Sequence, residues 1–153
     1  MKTGIIVYSN TGNTLQAAKR LQEAMKGKGQ EAELMQIKVS NEKPETEVSR
    51  VQLTEKPSPE GFDHLVFASP VWAFSLSGVM KAYLAGLPSL SGKKISLFVT
   101  HQFPLPWMGG NAAVRQMKKL CEGKGGTVGA STVISWNEKR REQDIGEMLA
   151  KLS

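Results

Sequence analysis

Five apolar runs punctuate the chain, at residues 4–8, 32–37, 63–68, 94–100 and 127–135, and helix-patterned segments follow or separate them. That alternation leaves few folds open, because strands joined through helices return parallel to one another in βαβ units. The first helical segment carries Leu15, Ala18, Leu21 and Met25 at helical spacing, and Gly27-Lys28-Gly29 stops it. Residues 78–87 read as a short helix with Val79, Met80, Tyr83 and Leu84, closed by Gly86 and Pro88. A third helix is predicted over 111–122 with Val114, Met117 and Leu120 inward, and a last one over 138–151. The polar stretch from Lys38 to Gly61 carries Pro44, Pro57 and Pro59, with one short helix expected near Glu45 to Leu53. Right-handed crossovers then predict a doubly wound α/β fold of three layers, its five-stranded parallel sheet ordered 2-1-3-4-5. In that order the loops after the first, third and fourth strands converge at one edge.

A length of 153 residues fits a single domain, 1–153, able to bury a sizeable core. With 40% apolar and 22% charged residues, the chain is too apolar for a disordered one. It has no apolar run of membrane-spanning length, and Met1-Lys2-Thr3 leads directly into a strand without a signal-peptide pattern, so a cytoplasmic protein is expected. The one cysteine, Cys121, has no partner for an internal disulfide and no companions for a metal site, and reads as a small, partly buried side chain.

The net charge of +6 is unevenly placed. Residues 1–76 hold nine Lys or Arg against nine Asp or Glu, whereas residues 77–153 hold eleven against five. No aromatic residues interleave the later cations as on a nucleic-acid stacking surface, so nucleic acid is not expected as a partner. A solvated basic face and a docking surface for an acidic redox partner are the two readings left.

The junction between the first strand and first helix is Ser9-Asn10-Thr11-Gly12-Asn13-Thr14. Such a turn aims backbone N–H groups and the positive end of the helix dipole at an anion. It lacks the lysine of an NTP loop and the glycine spacing of a dinucleotide loop. What remains is a set of neutral donors suited to one terminal phosphate. The alternative is an ordinary helix cap, with Thr11, Asn13 or Thr14 satisfying orphan N–H groups.

The two other converging loops are aromatic. One runs Ala68-Ser69-Pro70-Val71-Trp72-Ala73-Phe74-Ser75-Leu76-Ser77-Gly78, where Trp72 offers a flat face for stacking or else folds back on the core, and Phe74 packs inward. The other runs from Thr100 through His101, Gln102, Phe103 and Trp107 to Gly109-Gly110, a glycine pair that permits close backbone approach. One phosphate and a large planar ring describe flavin mononucleotide.

At these residues the chain resembles the flavodoxin-like FMN-binding family, which includes flavodoxins and NAD(P)H:quinone reductase-like flavoproteins. Tyr8 to Thr14 is similar to the family's phosphate loop, in which hydroxyl residues bracket a threonine or serine followed by glycine. Ser69-Pro70-Val71-Trp72 and the helix from Val79 to Leu84 look like the segment that wraps the isoalloxazine, and Gly109-Gly110 like the third flavin-contacting loop. The resemblance covers essentially the whole chain. It implies that Ser9, Asn10, Thr11, Asn13 and Thr14, with Gly12, bind the FMN phosphate. It also assigns Ser69, Pro70, Val71, Trp72, Ala73, Gln102, Phe103 and Gly110 to the ring. Two features depart from flavodoxins proper: the chain is basic, and Val71-Trp72-Ala73-Phe74 contains no glycine where many flavodoxins place one.

Three functions follow as expectations. The first is an FMN protein carrying electrons between partner proteins, the cofactor supplying the redox chemistry. The second is an enzyme that takes hydride from NAD(P)H and reduces quinones or similar aromatic acceptors, with His101 either a proton donor or a loop residue without catalytic duty. The third is a flavin-free interaction module on the same fold.

Overall fold

The computed structural model describes residues 2–40, 51–72, 75–102, 110–137 and 139–153. In chain order the elements are β1 (Lys2–Val7), α1 (Asn13–Gly27), β2 (Glu31–Gln36), β3 (Lys38–Val39), β4 (Leu53–Glu55), β5 (His64–Trp72), β6 (Ser75–Leu76), α2 (Gly78–Ala85), β7 (Lys94–His101), α3 (Gly110–Gly123), β8 (Thr127–Ser135) and α4 (Arg141–Leu152). The long strands form one parallel sheet in the order β2-β1-β5-β7-β8. Counting only those five, this is the 2-1-3-4-5 order expected from the sequence.

Side-chain alternation divides the core in two. Ile6, Tyr8, Phe67, Leu97 and Val99 face one layer, where they pack with Met80, Tyr83 and Met117 of α2 and α3. Ile5, Val7, Val66, Ala68 and Phe98 face the other, against Ala17, Leu21, Ile145 and Met148 of α1 and α4. Both faces of the central strands are therefore covered, which is why their sequences read as continuous apolar runs. Phe67, Phe98, Ile5 and Leu65 are fully buried, each worth about 1.5–3 kcal/mol against exposure.

Several boundaries differ from expectation. The third long strand does not end at 68 but runs on through Trp72, then turns back as β6, pairing Val71 with Leu76 and Trp72 with Ser75. The inward stripe of α3 is Ala113, Met117 and Cys121, on an i, i+4 row. Val114 and Leu120 flank it half-buried rather than lying at its centre. The helix expected near Glu45 to Leu53 falls mostly outside the described residues, and Leu53 itself opens β4, antiparallel to β3. The last helix begins at Arg141, and Asp144 fixes it to the sheet by accepting from Ser135 N at 2.9 Å.

Candidate functional site

The carboxyl ends of β1, β5 and β7 are in register. Val7 lies beside Ala68, Pro70 beside Thr100, and Tyr8 N donates to Ala68 O at 3.0 Å. The first segment at this edge is the turn into α1. Ser9 Oγ accepts from Gly12 N at 3.1 Å and from Leu15 N at 3.2 Å, closing the turn on itself and capping the helix. Gly12 sits at φ 97°, a left-handed conformation that only glycine adopts cheaply. Its carbonyl accepts from Gln16 N at 2.9 Å, starting the helical ladder. Among the described residues no acceptor meets the backbone N–H of Asn10, Thr11, Asn13 or Thr14. Four donors at the positive end of a 15-residue helix, in a turn with no carboxylate, have the donor set a phosphate dianion requires.

Within the turn the side chains differ. Thr11 is exposed, while Ser9, Asn10, Gly12 and Asn13 are half-buried. Thr14 is buried, and its hydroxyl lies 2.7 Å from that of Thr100. That bond ties α1 to the end of β7, so Thr14 has a structural duty beside any it has toward a ligand.

The second segment is strand rather than loop. Met80 N donates to Ser77 Oγ at 3.2 Å, Ser77 and Ser69 hydroxyls lie 2.8 Å apart, and Ser69 Oγ donates to Pro70 O at 3.0 Å. Since each hydroxyl has one proton, the chain runs in one direction and uses up that of Ser69, which is fully buried. Ser69 therefore offers a ligand its backbone alone. Trp72 is 9% exposed and meets Tyr8 edge to face, with ring centroids 5.5 Å apart and planes at 89°. Of the two arrangements the sequence left open for it, this is the inward one. It folds back on the core beneath half-buried Pro70 and Val71.

Two residues that sequence reasoning missed hold this hairpin. Gln116 of α3 accepts from Leu76 N at 2.8 Å and Ser75 Oγ at 3.0 Å, and Lys81 of α2 donates to Ser75 Oγ at 3.1 Å. The available signal was a glutamine abutting the apolar stripe Ala113-Met117 of an amphipathic helix.

At the third segment, Gln102 is exposed directly after β7. His101 is the last residue of that strand and 2% exposed, not a loop residue, and its carbonyl accepts from Trp136 N at 2.7 Å. Gly110 opens α3, where a Cβ would come within 2.6 Å of Val133 Cγ1; the glycine lets α3 pack closely on β8. Ala73, Phe74, Phe103 and Trp107 lie outside the described residues.

The Cys121 thiol, buried against the sheet, is pushed up to about 12 by burial first and Glu122 second, so it stays protonated at neutral pH. At the opposite, amino-terminal edge of the sheet, Lys2, Asp63, His64 and Lys94 line a hollow of about 730 Å³. His64 lies there between Ser96 Oγ at 2.8 Å and Thr3 Oγ1 at 3.4 Å, its pKa lowered by burial and then by Lys94. The later cations do not share one surface. Lys93 and Lys94 sit at the amino edge, Lys118 and Lys119 on α3, and Lys139 to Arg141 at the start of α4 on the other face.

The family model described as NADPH-dependent FMN reductase matches residues 1–138. No curated protein matches the sequence. Among solved structures, the Trp repressor binding protein from Bacillus subtilis is similar with a TM-score of 0.71 and 16% identity, covering 99% of this chain and 100% of that one. A flavoprotein from Lactobacillus acidophilus NCFM in complex with FMN gives 0.64 and 17%, covering 95% and 97%. Oxidised flavodoxin 1 from Bacillus cereus gives 0.64 and 15%, covering 98% and 95%. The chain thus has the flavodoxin-like fold. Among the described residues no helix is long and apolar enough to cross a membrane.

Proposed function

The chain belongs to the NADPH-dependent FMN reductase family, matched over residues 1–138, and on that premise we propose that it binds FMN and passes electrons between partner proteins. The observation that carries this reading is the set of N–H groups at Asn10, Thr11, Asn13 and Thr14 that have no acceptor among the described residues. Ser9 holds those groups in place through its two accepted bonds, and Gly12 supplies the left-handed step that turns them together. Thr11 and Asn13 add side-chain donors that a phosphate can reach without desolvating a charge. Bound there, FMN supplies one- or two-electron redox chemistry. Pro70 and Val71, backed by Trp72, offer an apolar rim for its ring, and exposed Gln102 offers an amide; Ser69 and Gly110 shape the wall from within. Ala73 and Phe103 complete the set assigned to the ring.

A second reading is favoured by the family itself: hydride taken directly from NAD(P)H, with a quinone-like acceptor. Against it stands His101, the side chain that reading would use to deliver a proton, which is 2% exposed at the end of β7. NADPH added anaerobically to the FMN-loaded protein, without a partner, separates the two. An unchanged flavin absorbance over many minutes is the expected result. Rapid bleaching would replace the carrier reading with the enzymatic one.

A further inference from the structure

We propose that the groove between α2 and α3 is the docking surface for a partner protein, and that it receives an acidic segment carrying apolar side chains. The groove has a volume of about 660 Å³; Ala85 and half-buried Leu120 form its floor, and Lys81, Lys119 and Lys124 rim it. Among the described residues no carboxylate lines it. The occupant's chemistry follows from that pairing of an apolar floor with an unneutralised cationic rim.

Part of the positive charge of the second half is engaged within the chain. Arg140 reaches Asp144 at 3.4 Å, Arg141 lies over the Trp136 ring at 5.3 Å, and Lys93 Nζ donates to Phe62 O at 2.8 Å. Those cations are engaged within the chain. Lys119 and Lys124 have no acceptor for Nζ among the described residues. They are charges available to an outside carboxylate, and Ala85 and Leu120 set an apolar lining beside them.

The groove is also connected to the hairpin beside Trp72. Lys81 and Gln116 both line it, and both bind Ser75, Lys81 Nζ at 3.1 Å and Gln116 Oε1 at 3.0 Å. A carboxylate that draws Lys81 toward the groove takes it from Ser75, so docking is felt at the hairpin that carries Val71 and Trp72. The surface rests on the carrier reading for its purpose, while docking itself requires no flavin.

The test uses the ¹⁵N-labelled full chain without FMN, titrated with a capped helical peptide made of glutamates with leucines at helical spacing. Amide shifts are expected at Lys81, Ala85, Lys119 and Leu120, accompanied by Ser75 and Leu76. Lys119→Glu with Lys124→Glu, both at the surface, should weaken binding about tenfold or more. Exchanging the peptide's leucines for glutamine should weaken it to a similar extent. Lys81→Met should remove the Ser75 response and keep the Leu120 shift. Shifts centred on Lys93-Lys94 or Arg140-Arg141, equal binding of a lysine-for-glutamate peptide, or indifference to the charge reversal would overturn the proposal. So would concentration-dependent dimerisation through the same amides, which would make a second copy the occupant. Failure of FMN to bind would leave the titration unaffected, so the two readings fail separately.

Discussion

Replacing Ser9 with alanine probes the phosphate turn without touching the donors themselves. The hydroxyl accepts two backbone bonds, at 3.1 Å from Gly12 and 3.2 Å from Leu15. Both are half-buried, so water recovers part of what is lost, and the stability cost should be that of an N-cap, about 1 kcal/mol. The larger effect falls on affinity. With Ser9 gone, Gly12 can leave its left-handed conformation, and the N–H groups of Thr11 and Asn13 no longer hold a common direction. A hydrogen bond to a charged group contributes about 1.5–3 kcal/mol, so misaligning one of them should weaken FMN binding about 10- to 100-fold. Riboflavin has the same ring without the phosphate, and its affinity for Ser9→Ala should match that for the parent protein. Quenching of flavin fluorescence measures both. Equal weakening of FMN and riboflavin would show that Ser9 supports the ring wall or the fold generally. No weakening of either would show that the turn is only a helix cap, and the phosphate assignment would fall.

Other outcomes can be checked independently. Gly110→Ala places a methyl within 2.6 Å of Val133 Cγ1 and should lower stability by about 1–3 kcal/mol in urea melts, because α3 cannot retreat from β8 without breaking its own packing. His64 has its pKa lowered below 6.5 by burial and Lys94, so the unfolded chain takes up its proton first: stability is full above pH 6.5 and declines as pH falls through the folded-state value. His64→Gln should flatten that decline, and a profile unchanged by the substitution would assign it to another group. Cys121, its thiol raised to about 12, should resist iodoacetamide in the native protein at mildly alkaline pH and react once urea unfolds it, as mass spectrometry would show.

The sheet was legible because its strands are buried on both faces, so Ile5-Ile6-Val7 and Leu65-Val66-Phe67-Ala68 stand out as unbroken apolar runs. The phosphate turn was legible because everything it needs is contiguous in the chain. The extension of β5 was hidden by Ser69-Pro70, a pair that reads as a turn. Proline is tolerated there because pairing with β1 ends at Ala68, leaving that side of Pro70 with no ladder to donate to. The two readings of Trp72 could not be separated for the same reason: on a loop it would be exposed, whereas on a strand its pleat turns it toward Tyr8. Strands β3 and β4 are only two and three residues long, too short for any periodicity to show. The bond between Thr14 and Thr100 joins residues 86 apart, and Gln116 reaches the hairpin across 40 positions. No local pattern records such partnerships; they exist only once the layers have packed.

The division of the core by the sheet has a consequence for how this site can change over evolution. The turn at Ser9 to Thr14 hangs from α1, whose packing belongs to the layer with α4, whereas the hairpin bearing Trp72 is gripped by α2 and α3 in the other layer. Substitutions that repack one layer act first on their own half of the site, with the sheet as a partition and the bond between Thr14 and Thr100 fastening α1 to the sheet on its own side. Cofactor retention and the environment of the ring can accordingly drift apart between lineages. Amide exchange should display the same independence within one molecule, the hairpin opening without releasing α1.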